Sequence, residues 1–444
     1  MTLKEIRSYF LSPALPAAIL LFGMVFCLAF AQFAGLHWQP SATITLYSGL
    51  LVWVALLAWR QRKLWAGIGV IDVLFGAFIL WVLASLLIQD ALEWRYGRYL
   101  PFLAIVPYVC GRLMRVRDAH LLFKTVASAG LVMLMLLAID YWHNAHNATA
   151  YHGYDRWPFF GHGYASLLIS SLLAGALIVF YFRSLTGCAD SSKPLLWRAA
   201  DLAAVSLISV VLVWVAARGA LLAGLLGIFC LTLILRRCSP LRRLILILYL
   251  TGLLALSFQF LPQPQILFYQ RLITKPNATF LAESEKISPQ QKDAPMLGTA
   301  SCQPFEKGVD SVAMRWVLYR EAVAMFMHRP WRGVGAASFG RHSCTGVMGF
   351  PHSTILQAFA ELGVMGGLLF VGLMSAAFVG FFRKAVEANA TYATQAAQLA
   401  LAWFTMYLAS DQIYGNYFMA AGFYLLAGVA AGMRSNPAWN NGGK

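Results

Sequence analysis

Charge is scarce in this sequence. Only 12 % of its 444 residues are Asp, Glu, Lys or Arg, where a soluble globular chain averages about 25 %. Acids are the scarcer sign, 18 against 34 Lys and Arg. No Asp-x-Asp pair occurs in any segment expected on the outer side of a membrane, and the first such loop, 35–42, has no acid at all. Hard cations need carboxylates, so this argues against a metal-dependent transferase. The phosphate-cradling P-loop is missing, as is the Gly-x-Ser-x-Gly elbow, which leaves ATP-driven and serine-hydrolase chemistry unsupported. His143, His146 and His152 form the one histidine cluster; a solvated loop explains it better than zinc.

Apolar residues fill the space that charge leaves. They make up 60 % of the chain and fall in repeated runs of about 20, the length that crosses a bilayer as helix. Backbone amides in lipid must bond within their own segment, so the runs are helical. Twelve spans are expected: 15–34, 43–59, 68–88, 99–114, 121–142, 162–182, 199–216, 218–235, 241–261, 353–381, 391–410 and 415–433. Lys4, Arg7 and Ala29-Phe30-Ala31 mimic a signal peptide, but the run between them is too long for one and reads as the first span.

The formal charge of +16 does not point to nucleic acid, because the basic residues alternate with the spans instead of gathering on a polar domain. With both termini inside, twenty Lys and Arg fall on the cytoplasmic side, whereas the short outer loops hold only Arg95, Arg98, Arg156 and Arg218. That asymmetry sets the orientation. The expected organisation is an all-α polytopic membrane protein in three parts: a bundle over 1–261, a large outer loop over 262–352, and three more spans with a short cytoplasmic tail over 353–444.

The outer loop opens with Pro262 and Pro264, is irregular over about 275–306, and carries a helix from about Asp310 to His328 that Pro330 ends. Val312, Trp316, Tyr319, Val323 and Phe326 recur at spacings of four and three, which predicts one apolar stripe. Such a helix lies on the membrane surface or on the bundle. Cys302 and Cys344 share this loop and are expected to form a disulfide in an oxidising compartment.

Candidate functional residues gather at the outer face. Arg218 starts the eighth span, Arg156 lies in the loop before the sixth, Arg315 and Arg320 sit on the loop helix, and His352 stands where the loop meets the tenth span. Singly, such arginines anchor to headgroups or pair with acids. Together, their planar forks suit a lipid-linked phosphate or diphosphate. Glu361, inside the tenth span, is nine residues from His352 and so on the opposite helical face; it reads as a structural partner. Asp411, in the last outer loop, faces the site or orients an arginine.

Two segments carry a family resemblance. Arg315, then an aromatic at Tyr319, leads to Pro330-Trp331-Arg332-Gly333-Val334-Gly335. Pro351-His352-Ser353 then opens a helix containing Leu356-Gln357 and Glu361-Leu362-Gly363-Val364-Met365-Gly366. With Ala217-Arg218-Gly219-Ala220, this resembles the signature of the O-antigen ligase and polymerase superfamily, with Ser353 where that pattern has Asn. The resemblance implies a metal-independent glycosyltransferase of the GT-C kind, without cofactor, in the inner membrane of a Gram-negative bacterium. It would take a glycan from undecaprenyl diphosphate, with lipid A–core as acceptor in a ligase, a second lipid-linked repeat in a polymerase, or a Ser or Thr in a protein O-oligosaccharyltransferase. A single large late loop favours the ligase. The resemblance further implies inversion in one displacement. In this reading His352 is the base, Arg218 and Arg315 hold the diphosphate, and Arg156, Arg320 and Asp411 contribute to donor binding. The contrasting class is a lipid-glycan transporter, which would place charged groups near the bilayer midplane.

Overall fold

The computed structural model describes residues 12–23, 40–61, 67–88, 100–144, 164–187, 194–214, 218–235, 239–259, 311–343, 350–387, 391–413, 415–417, 420–435 and 439. Among these there are fourteen α-helices and no strand. In chain order they are α1 Ala14–Ala18, α2 Pro40–Arg60, α3 Val70–Ile88, α4 Val106–Leu113, α5 Val116–Asn144, α6 Tyr164–Gly187, α7 Leu195–Trp214, α8 Arg218–Ile234, α9 Pro240–Gln259, α10 Ser311–His328, α11 Phe339–His342, α12 Thr354–Ala385, α13 Tyr392–Asp411 and α14 Ala421–Ser435. Short π-helical stretches follow α1 and precede α4. The chain is an all-α polytopic membrane protein. Six helices are long and apolar enough to cross a membrane, and three shorter apolar ones accompany them. Each of the twelve expected spans coincides at least in part with a described helix, although residues 24–34 of the first lie outside the described residues.

Small residues set how closely these helices pack, as expected where lipid tails offer no hydrophobic drive between them. Gly428 and Gly432 on α14 face α4. A Cβ at Gly428 would stand 2.1 Å from the Tyr108 carbonyl oxygen, and one at Gly111 2.0 Å from that of Leu425. The two backbones therefore touch, and no larger residue fits at either crossing point. The crossing carries a polar clip at its end. Asp72 on α3 accepts from Tyr108 Oη at 2.8 Å and Arg112 Nε at 2.9 Å, while Arg112 also donates to the Gly67 carbonyl. Arg112 is fully buried, which is tolerable because it is paired and bonded. Trp439 closes the same corner, its indole donating to the Met114 carbonyl at 2.8 Å.

The helix that positions the candidate site is α12, and it is broken. Gly363 has φ 67° and ψ −167°, a conformation that favours glycine. The break frees backbone groups, and each has a partner from elsewhere. Val364 N–H donates to the Pro330 carbonyl (2.7 Å), the Ala360 carbonyl accepts from Val334 N–H (2.9 Å), and that of Glu361 accepts from Gly335 N–H (2.7 Å). The Leu362 carbonyl accepts from the Trp81 indole of α3. The turn 330–335 is thus wedged into the gap in α12. Gly333 and Gly363 permit the approach: a Cβ on Gly333 would lie 2.3 Å from the Glu361 carbonyl carbon, and one on Gly363 2.4 Å from the Trp331 carbonyl oxygen. The Pro-x-x-Gly-x-Gly and Glu-Leu-Gly segments are two halves of one joint.

Candidate active site

Glu361 fastens the joint from beneath. Its carboxyl is fully buried and accepts hydrogen bonds from Ala337 N–H at 2.9 Å, Phe339 N–H at 3.0 Å and Tyr417 Oη at 2.6 Å, with the Gln357 side chain bonded to it as well. The structural role expected for it is the one its geometry serves, at the N-terminus of the one-turn helix α11. Ser85 on α3 adds a further tie, accepting from Ala336 N–H at 3.0 Å.

Above the joint lies the turn with His352. This residue has φ 60°, in the left-handed region that costs any side chain with a Cβ about 1–2 kcal/mol. The next residue ends the turn. Ser353 is the N-cap of α12, its hydroxyl accepting from Leu356 N–H at 3.3 Å, so it performs the capping task that an Asn would also perform. The His352 ring packs edge-on against Phe350, with centroids 4.8 Å apart.

Gln412, just past the end of α13, holds this turn. Its side-chain carbonyl accepts from Ser353 Oγ at 2.8 Å and Ile355 N–H at 3.4 Å, and its amide donates to Thr354 Oγ1 at 2.8 Å. Its backbone carbonyl accepts from Tyr319 Oη of α10 at 3.0 Å. Tyr319 is one turn from Arg315, whose charge opposes the rise that burial imposes on the phenol's pKa. One residue therefore ties the His352 turn to the helix bearing Arg315. Sequence reasoning misses Gln412, and nothing in its neighbourhood marks it; Tyr319 stands in the expected stripe and in the motif as an aromatic, and neither reading uses its hydroxyl.

The remaining candidates divide. Arg320 is exposed on a different face of α10 from the one packed on α12. Arg218 begins α8, but its side chain lies outside the described residues. So do Arg156, Cys302, Cys344, His146 and His152 altogether, and the side chain of His143. Among the described residues no group of three or more His, Cys, Asp or Glu is placed to hold a metal ion. The predicted stripe on α10 is corrected. The helix buries Leu318, Ala322 and Met325 against Val334, Phe339 and Ala360, with Tyr319 and Phe326 half-buried beside them, while Trp316 and Val323 point away. The side chain of Val312 lies outside the described residues.

Asp411 ends α13, half-buried, and its charge acts on the phenols of Tyr407 and Tyr424 in the bundle. Desolvation pushes its pKa up to about 8, from about 3.9 in an unfolded chain. The folded state then keeps a proton that the unfolded state releases. The associated stability is whole below about pH 4 and is lost as pH rises towards 8. Asp411→Asn should match the wild type near pH 4 and melt at a higher temperature at pH 8.5, read by thermal unfolding in detergent. A variant less stable than wild type at pH 8.5 would mean that a cation stabilises the ionised carboxylate.

Residues 203–371 match the family model described as O-antigen ligase (Wzy_C). The match runs from within α7 through the joint at Gly363, and includes Arg218, Arg315, His352 and Glu361 but not Gln412. No curated protein matches the chain. Over residues 203–371 the chain is therefore similar to the O-antigen ligase family, whose members are glycosyltransferase-like enzymes acting on lipid-linked glycans.

Proposed function

We propose that this protein is an O-antigen ligase of GT-C architecture. In this reading it moves a glycan from undecaprenyl diphosphate to lipid A–core at the periplasmic face of the inner membrane, with both termini cytoplasmic. The observation that carries the reading is the tie made by Gln412: within one corner it fastens the His352 turn and the helix of Arg315. Neutral imidazole is available near pH 7. His352 takes the proton from the acceptor hydroxyl as that oxygen attacks the anomeric carbon. The diphosphate leaves with the bonding pair, and Arg218 and Arg315 hold its charge without a metal. One displacement inverts the anomeric centre.

The transporter reading asks for ionisable groups open to an ion, and two of the helix-borne acids are already engaged. Asp72 is bonded to Arg112 and Tyr108, and Glu361 is bonded to backbone and Tyr417. Neither stands ready for an ion.

Purified protein given lipid-linked glycan and lipid A–core should form glycosylated lipid A–core, with EDTA present throughout. Product only when a second lipid-linked repeat is the acceptor would make the protein a polymerase. Activity lost with EDTA and restored by magnesium or manganese would end the metal-free scheme.

A further inference from the structure

The joint at Gly363 gives the depth of the turn beside it. Between the break and the end of α12 run residues 364–385, about 33 Å at 1.5 Å per residue, which matches a hydrocarbon core of about 30 Å. Arg383 and Lys384 mark the far end. Gly363, and the Trp331 carbonyl against it, therefore lie at the opposite edge of the core. Helix α3 gives the same level independently: Ser85, which bonds Ala336 N–H, is three residues from the end of Val70–Ile88.

On the same side of the joint α10 carries a stripe that is exposed among the described residues. Trp316 is 54 % exposed, Val323 48 % and Met327 70 %, and Trp331 in the wedge is 74 % exposed. Trp316, Arg320, Val323 and Met327 are spaced four, three and four apart, one face of a helix. Its other face is already spent on Val334, Phe339 and Ala360. Exposed Arg320, His328, Arg329 and Arg332 are interleaved with the apolar side chains. Met365 and Leu368, on α12 just past the break, are exposed as well.

We propose that this stripe is an interfacial anchor seated in the phospholipid leaflet at that edge of the membrane. The rings of Trp316 and Trp331 lie at the headgroup level, where aromatic side chains concentrate. Met327 and Val323 reach the acyl boundary. Arg320, Arg329 and Arg332 meet lipid phosphates, a complementarity that neither water nor an apolar protein face would supply. The wedge makes the anchor rigid: Trp331 cannot change depth without opening the joint. One consequence rests on the ligase reading: the lipid surface sets the height of α10, and so holds Arg315 level with a lipid-linked diphosphate.

The anchor is tested without activity. Nitroxide labels at Trp316→Cys, Val323→Cys, Met327→Cys and Trp331→Cys, each in a background lacking other cysteines, are placed in phosphatidylethanolamine–phosphatidylglycerol nanodiscs. Collisions with oxygen and with a water-soluble nickel chelate are then compared. Leu368→Cys gives the lipid reference and Glu387→Cys the aqueous one. All four labels should favour oxygen as Leu368→Cys does, at a shallower depth. Labels that favour the chelate overturn the proposal. So do labels that meet neither reagent, which would mean cover by another stretch of this chain or a second copy. Should removal of the native cysteines spoil folding, tryptophan quenching by brominated lipid in the otherwise native protein decides: Trp331→Phe should lower the quenched fraction, and an unchanged fraction overturns the anchor. A failed transfer assay would leave these results standing.

Discussion

The protein with His352→Ala should bind lipid-linked donor as the wild type does and transfer it roughly 10²–10⁴-fold more slowly, the usual worth of a positioned general base. The backbone makes this a clean test. The left-handed φ of His352 is costly because of the Cβ, which alanine shares, so the substitution leaves the strain unchanged. His352→Gly relieves it and should be no less stable, yet equally slow. If His352 served only the turn, glycine would restore transfer. Arg315→Ala should behave differently, weakening donor binding and transfer together. Lys should rescue it poorly, because the ammonium lacks the planar fork. Single-turnover transfer and donor binding, measured separately, distinguish the two residues. Near-normal turnover in His352→Ala ends the base assignment, and a defect confined to donor binding would move His352 into the phosphate site.

How far the sequence disclosed this site depends on the range of the interactions. The helices were legible because hydropathy is local and lipid leaves the backbone no alternative; even Pro330 marks where α10 gives way to the wedge. The face of α10 was not, because the helix is apolar on two sides. Leu318, Ala322 and Met325 compete with Trp316, Val323 and Met327, and periodicity alone does not choose between two stripes of similar strength. The structure chooses by placing Val334 and Phe339 against the first set. Gly333 and Gly363 stand out in the motif, but their mating across thirty positions is a tertiary fact. Gln412 is the extreme case. It touches Ser353, Thr354, Ile355 and Tyr319, yet lies beside the acid that drew attention. A neutral amide at a helix end carries no pattern that separates it from any other.

Glu361→Ala should be the most damaging single change in the joint. A carboxylate only accepts, and several donors converge on this one, among them Ala337 N–H, Phe339 N–H and Tyr417 Oη. Alanine takes this acceptor away from buried donors, at about 1–3 kcal/mol for each left unmet, so a loss of several kcal/mol is expected where total stability is about 5–15 kcal/mol. Tyr417→Phe removes one donor together with its need for an acceptor, and should cost about 1.5–3 kcal/mol, the worth of a bond to a charged group. Glu361→Gln is the telling variant. It keeps the volume and one acceptor oxygen, but its amide points N–H groups at donors, so its stability should fall between the other two. The wedge carries the end of α10 with it, so transfer should decline in the same order as thermal stability in detergent, Tyr417→Phe least and Glu361→Ala most. If Glu361→Gln instead folded with wild-type stability and failed only in transfer, the carboxyl would belong to the chemistry and not to the joint.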